Sequence, residues 1–126
     1  MSRILAVDDQ EDNRRILRDL LTSAGYQVIE ATTGEEAVAS AEAHMPDLIL
    51  MDIQLPGIDG YEATRRIKAK PALRAIPLIV VTSYALSGDE PKALAAGADA
   101  YVSKPFSPRA LLAKVREYLP SRAGGT

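Results

Sequence analysis

Five short apolar runs punctuate the chain, and their alternation with helix-period segments restricts what it can fold into. The runs are RILAV (3–7), QVIEA (27–31), LILM (48–51), PLIVV (77–81) and AYVS (100–103). Each has the length and β-branched content of a strand. Between the first two, Ile16, Leu17, Leu20, Leu21 and Ala24 recur at one-face helical spacing, and Gly25 supplies a C-terminal stop. Further helices are expected at about 34–43, 60–69, 89–96 and 108–119. Pro91 is tolerable in the first turn of the fourth, and Leu111, Leu112, Val115 and Leu119 share a face of the fifth. Strands that are apolar almost throughout and alternate strictly with helices predict an α/β fold, a parallel sheet covered on both faces. In such folds ligands bind beyond the C-terminal ends of the strands, where strand order reverses.

That edge is where the polar residues gather. The first run is followed by Asp8 and Asp9, the third by Asp52, the fourth by Thr82 and Ser83, and the fifth by Lys104 and Pro105. Taken singly, each is ordinary: Asp and Thr end strands or cap helices, and Lys-Pro is a turn. Together, Asp8, Asp52, Thr82 and Lys104 come from four strand ends that the fold brings to one place. The second strand ends plainly in Ala31 and Thr32 and contributes none. Three carboxylates against one ammonium leave excess negative charge, which a hard divalent cation with oxygen ligands would offset, and magnesium suits it.

Other phosphate and metal motifs do not match. Counted from Asp8, the EF-hand pattern fails at the third, sixth and twelfth positions, occupied by Gln10, Asn13 and Asp19. No glycine-rich GK[ST] stretch follows the first strand. A phosphatase of the haloacid-dehalogenase type would require Asp-x-Asp there, and Gln10 stands two residues after Asp8.

A net charge of −2 gives no electrostatic reason to expect nucleic acid. No apolar run reaches the roughly 18 residues of a membrane span, and MSRILAVDD turns acidic before a signal-peptide core can form, so a cytoplasmic location is expected. The absence of cysteine excludes disulfides and thiolate chemistry. The single histidine, His44, reads as a surface residue, and Met51 as core filling.

Four segments in order, VDDQEDN, LILMDIQLPGIDG, IVVTSYA and GADAYVSKPF, resemble the receiver domain of bacterial two-component response regulators. The likeness extends over about residues 3–119. It implies a flavodoxin-like, doubly wound five-stranded parallel sheet of order 2-1-3-4-5 with five helices. A receiver domain over 1–119 and a short flexible tail over 120–126, with no effector domain attached, are expected. The resemblance makes Asp52 the phosphoacceptor and gives Asp8, Asp9, Asp52 and the Gln54 main-chain carbonyl to Mg2+, for which Mn2+ may substitute. It also implies that Thr82 and Lys104 contact the phosphoryl group, that Pro105 is the cis proline directing Lys104, and that Gln54 and Tyr84 flank the site and tune phosphate lifetime. Thr82 and Tyr101 would form the switch. The implied role is single-domain signalling in a phosphorelay. The phosphoryl group would come from a histidine kinase or histidine phosphotransfer protein, and a downstream protein would be the target. A phosphate sink or relay intermediate is the alternative. Catalysis would be confined to the domain's own phosphorylation and dephosphorylation. The face from the fourth to the fifth helix is compatible with a monomer or a weak dimer.

Overall fold

A computed structural model describes residues 2–82 and 89–119 of the chain. The elements alternate as β1 (Arg3–Val7), α1 (Glu11–Ser23), β2 (Gln27–Ala31), α2 (Gly34–His44), β3 (Leu48–Asp52), α3 (Gly60–Ala69), β4 (Leu78–Thr82), α4 (Asp89–Ala95), β5 (Ala100–Ser103) and α5 (Pro108–Tyr118). The five strands form one parallel sheet of order β2-β1-β3-β4-β5.

Alternate residues of each strand face opposite sides, and each side has its own core. Leu5, Val7, Ile49, Met51, Leu78 and Val80 pack with Ala37 and Ala41 of α2, Ala63 and Ile67 of α3 and Ala93 of α4. On the other side Ile4, Ala6, Leu48, Leu50, Ile79 and Val81 pack with Leu17 and Leu21 of α1 and Leu111 and Val115 of α5. Burying each such Ile or Leu contributes about 1.5 to 3 kcal/mol. Covered on both faces, these strands cannot alternate with polar residues, which is why they read as continuous apolar runs.

Local chemistry starts and stops the helices. The side chains of Thr33, Asp59 and Ser107 accept the backbone N–H of Glu36, Glu62 and Ala110, capping α2, α3 and α5. Gly25 follows α1 at φ +96°, in the left-handed region.

Three strand boundaries and one side chain differ from the sequence expectations, and the ends of α2 to α5 fall within one residue of theirs. β3 runs one residue further, because Asp52 still pairs with Val81. β4 starts at Leu78 rather than Pro77, which has no N–H to donate, although the Pro77 carbonyl accepts from Ile49. It then extends to Thr82. Ile16, expected on the buried stripe of α1, is 55% exposed. It lies on the helix flank, lining a cavity with Leu17, Pro105 and Phe106. The expected tail at 120–126 lies outside the described residues.

Candidate functional site

β1 and β3 are adjacent central strands, so the residues at their C-terminal ends are neighbours. Asp8, just past β1, and Asp52, the last residue of β3, are both buried, while Asp9 is exposed. One carboxylate oxygen from each of Asp8, Asp9 and Asp52 lies within 4.8 Å of the others. Lys104, just past β5, enters from the other side. Its Nζ is 3.0 Å from Asp8 Oδ2 and 3.6 Å from Asp52 Oδ1. Among the described residues it is the one cation in ion-pair contact with Asp8 or Asp52.

Backbone geometry fixes these side chains. The Lys104 N–H donates to the Thr82 carbonyl at 2.6 Å, tying the end of β5 to the end of β4, and the Lys104–Pro105 peptide is cis. Thr82 is fully buried at its strand end, with Ser103 as its partner in the ladder. Asp52 Oδ1 accepts the N–H of Ile53 at 2.9 Å, and Asp8 Oδ1 accepts that of Gln10 at 2.9 Å. The start of α3 is pressed against the end of β3. The Gly60 N–H donates to the Ile53 carbonyl at 2.8 Å, and a Cβ at Gly60 would sit 2.1 Å from the Asp52 carbonyl oxygen. Only glycine permits that approach.

Burial pushes the Asp52 carboxyl up to about 6, with the Asp8 and Asp9 charges adding to the rise. Lys104 and the Ile53 N–H oppose it. Three carboxylates facing one ammonium remain net negative, and the donors are all hard oxygens, so the residues present fit Mg2+. A cavity of about 280 Å³ opens beside them, lined by Asp9, Gln10, Asn13, Asp52, Gln54 and Lys104.

The structure therefore brings together Asp8, Asp9, Asp52, Thr82 and Lys104, with Gln54 on the rim. Tyr101 is half-buried on β5 opposite Val80, on the same face as Thr82 but two pairs further back along the ladder. Tyr84 lies outside the described residues. His44 is exposed at the end of α2, where its carbonyl accepts from Arg3 at the start of β1, and Met51 is fully buried in the core.

The sequence reading missed Gln10, Asn13 and Arg14, which follow the acidic pair at the start of α1. A lining role is legible only once the helix is known to begin at Glu11. The end of β2, Ala31 and Thr32, adds no ligand to the cluster, but within β2 Glu30 accepts from Arg14, which donates to the Asp8 carbonyl.

Comparison with known proteins gives a consistent result. The model of the response regulator receiver domain matches residues 4–116. The polar-differentiation response regulator DivK of Brucella ovis is 43% identical over 116 residues, spanning 92% of this chain and 94% of its own length. Among solved structures, the receiver domain of the sensor histidine kinase PA1611 from Pseudomonas aeruginosa PAO1, with a magnesium ion coordinated in its active site cleft, superposes with a TM-score of 0.88 at 40% identity. It covers 95% of this chain and 98% of that one. A CheY-like receiver domain protein from Methanospirillum hungatei JF-1 gives 0.88 at 37% identity, with 94% of each chain covered.

Proposed function

The chain belongs to the response regulator receiver domain family of two-component signalling, and on that premise we propose that it takes a phosphoryl group onto Asp52 from a phosphohistidine donor and reports it by protein–protein contact. The observation that carries this reading is the convergence of three carboxylate oxygens within 4.8 Å with Lys104 beside them, at the C-terminal edge of the sheet.

Asp8, Asp9, Asp52 and the Gln54 main-chain carbonyl would hold Mg2+, which when bound supplies positive charge to the oxygens of the transferring phosphoryl group. The residues of the chain do the rest. Burial raises the Asp52 carboxyl to about 6 and still leaves it ionised at neutral pH, the form that nucleophilic attack requires. An Asp52 carboxylate oxygen attacks phosphorus, the bond from phosphorus to the donor imidazole nitrogen breaks, and an acyl phosphate forms as the donor histidine returns to neutral. Lys104 exchanges a carboxylate partner for a phosphoryl oxygen, so its charge stays compensated throughout. Thr82 donates its hydroxyl to the same group from the end of β4. Attack of water on phosphorus later breaks the O–P bond, releasing inorganic phosphate and restoring the carboxylate.

Acetyl phosphate, a small acyl phosphate donor, tests the reading. With Mg2+ the intact mass of the protein should rise by one phosphoryl group, and chelator or Asp52→Asn should abolish the gain. Equal uptake by Asp52→Asn would refute the acceptor assignment.

A further inference from the structure

Arg14 makes an unusual set of contacts for a residue on the first turn of a surface helix. Its side chain is only 12% exposed. The guanidinium donates from Nη1 to the Asp8 main-chain carbonyl at 2.8 Å, from Nε to Glu30 Oε1 at 3.1 Å and from Nη2 to Glu11 Oε1 at 2.6 Å. Three partners in different directions match the fixed fork of a guanidinium and exceed what one ammonium can serve in that geometry. Arg18 holds the other oxygen of Glu30 at 2.6 Å, so Glu30 is itself anchored on β2.

The Asp8 carbonyl is where β1 leaves the ladder. The Asp8 N–H still donates to Ala31 of β2. The carbonyl that follows belongs to the peptide group joining Asp8 to Asp9, and Arg14 is its donor. Fixing that peptide plane fixes the direction in which Asp9 leaves it. Asp8 is further held through both carboxylate oxygens, by Gln10 N–H and by Lys104. Asp9, exposed at the mouth of the cluster, depends on the backbone for its placement.

We propose that Arg14 is a positioning residue for the metal site, setting the Asp8–Asp9 peptide through the Asp8 carbonyl so that the Asp9 carboxylate is pre-placed for Mg2+. The inference rests on the assignment of Mg2+ to Asp8, Asp9 and Asp52 made above. It has a sign that charge alone would not give. Removing a cation beside an acidic cluster should strengthen cation binding by Coulomb's law. Loss of a positioning contact should weaken it, because the peptide must then be ordered when the ion binds.

The test is Mg2+ affinity of the full chain by calorimetry, with backbone amide relaxation in the metal-free protein as the second readout. Arg14→Ala should bind Mg2+ about tenfold more weakly, and the Asp9 amide should become mobile on the fast timescale before any metal is added. Arg15→Ala removes the same charge from α1 without touching the Asp8 carbonyl or Glu30, since Arg15 pairs with Asp12, and its affinity should equal or exceed that of the parent. Arg14→Lys keeps the charge and protects the fold should the alanine variant fail, and a roughly threefold loss is expected there from geometry alone. Phosphorylation by acetyl phosphate should recover in both Arg14 variants at saturating Mg2+. Affinity unchanged or improved in Arg14→Lys and in any folded Arg14→Ala would overturn the proposal. Mg2+ affinity in the parent that is unaffected by Asp9→Ala would instead overturn the metal assignment beneath it.

Discussion

Asp52 is held at an energetic cost that can be measured without any phosphoryl donor. Its carboxyl is displaced from an ordinary 3.8 to about 6, chiefly because burial disfavours the charged form. Each pH unit of displacement is worth about 1.4 kcal/mol, so the full displacement corresponds to about 3 kcal/mol. Solvent reaches the carboxylate through the adjoining cavity, which reduces the expected penalty to about 1 to 2 kcal/mol. The folded-state value is the higher one, so Asp52 favours folding below pH 3.8, and that contribution is lost as pH rises through 6. Asp52→Asn keeps the shape and an oxygen for the Ile53 N–H but cannot ionise. In chelator at pH 7.5 it should be more stable than the parent by about 1 to 2 kcal/mol, about 3 to 8 °C in melting temperature for a domain of this size. The difference should shrink as pH falls from 7 toward 4, and Mg2+ should stabilise the parent more than the variant. Urea unfolding at several pH values, with and without chelator, reads all of these. A variant no more stable than the parent at pH 7.5, or a gap that widens toward pH 4, would refute the claim that an ionised Asp52 is strained by burial.

Three further outcomes follow from the same geometry. Lys104→Ala removes the cation that holds the Asp52 carboxyl down, so in a carboxyl-carbon NMR titration Asp52 should titrate above 6, and an unchanged value would contradict the 3.6 Å pairing. Gly60→Ala puts a methyl group 2.1 Å from the Asp52 carbonyl oxygen and 2.7 Å from Ile53 Cα, so unfolding should show a loss of about 1 to 3 kcal/mol and acetyl phosphate should react more slowly. Beryllofluoride, which mimics the phosphoryl group, should shift amide signals from Thr82 through Tyr101 and into α4 and α5. Changes confined to Asp8, Asp9, Asp52 and their loops, with Thr82→Ala responding as the parent does, would exclude this output route.

Much of this was legible in the sequence because a parallel sheet buried on both faces leaves continuous apolar runs, and their ends are where Asp8, Asp52, Thr82 and Lys104 stand. Ends were less legible than middles. Pro77 belongs to the apolar run but lacks the N–H, and the third run stops at Met51 although the ladder includes the strand-end Asp52. Ile16 fitted the apolar period of α1, yet it falls on the flank that borders Pro105 and Phe106, a neighbour 90 positions away that no local pattern encodes. The same holds for Glu30 and Arg14. A charged residue inside an apolar strand and an arginine after an acidic run each look solvated until the fold brings β2 alongside the start of α1. Side-chain identity named the groups that gather at the sheet edge, whereas the contacts that hold them act through backbone atoms, which a sequence does not distinguish.

The central claim is that the chemistry occurs at Asp52 and nowhere else. Borohydride reduces an aspartyl phosphate to homoserine, so protein treated with acetyl phosphate and Mg2+, reduced and digested, reports the modified position directly by peptide mass spectrometry. Homoserine is expected at position 52 alone, and none when Mg2+ is chelated. Homoserine at position 8 or 9, or at 52 in equal yield without the metal, would contradict it.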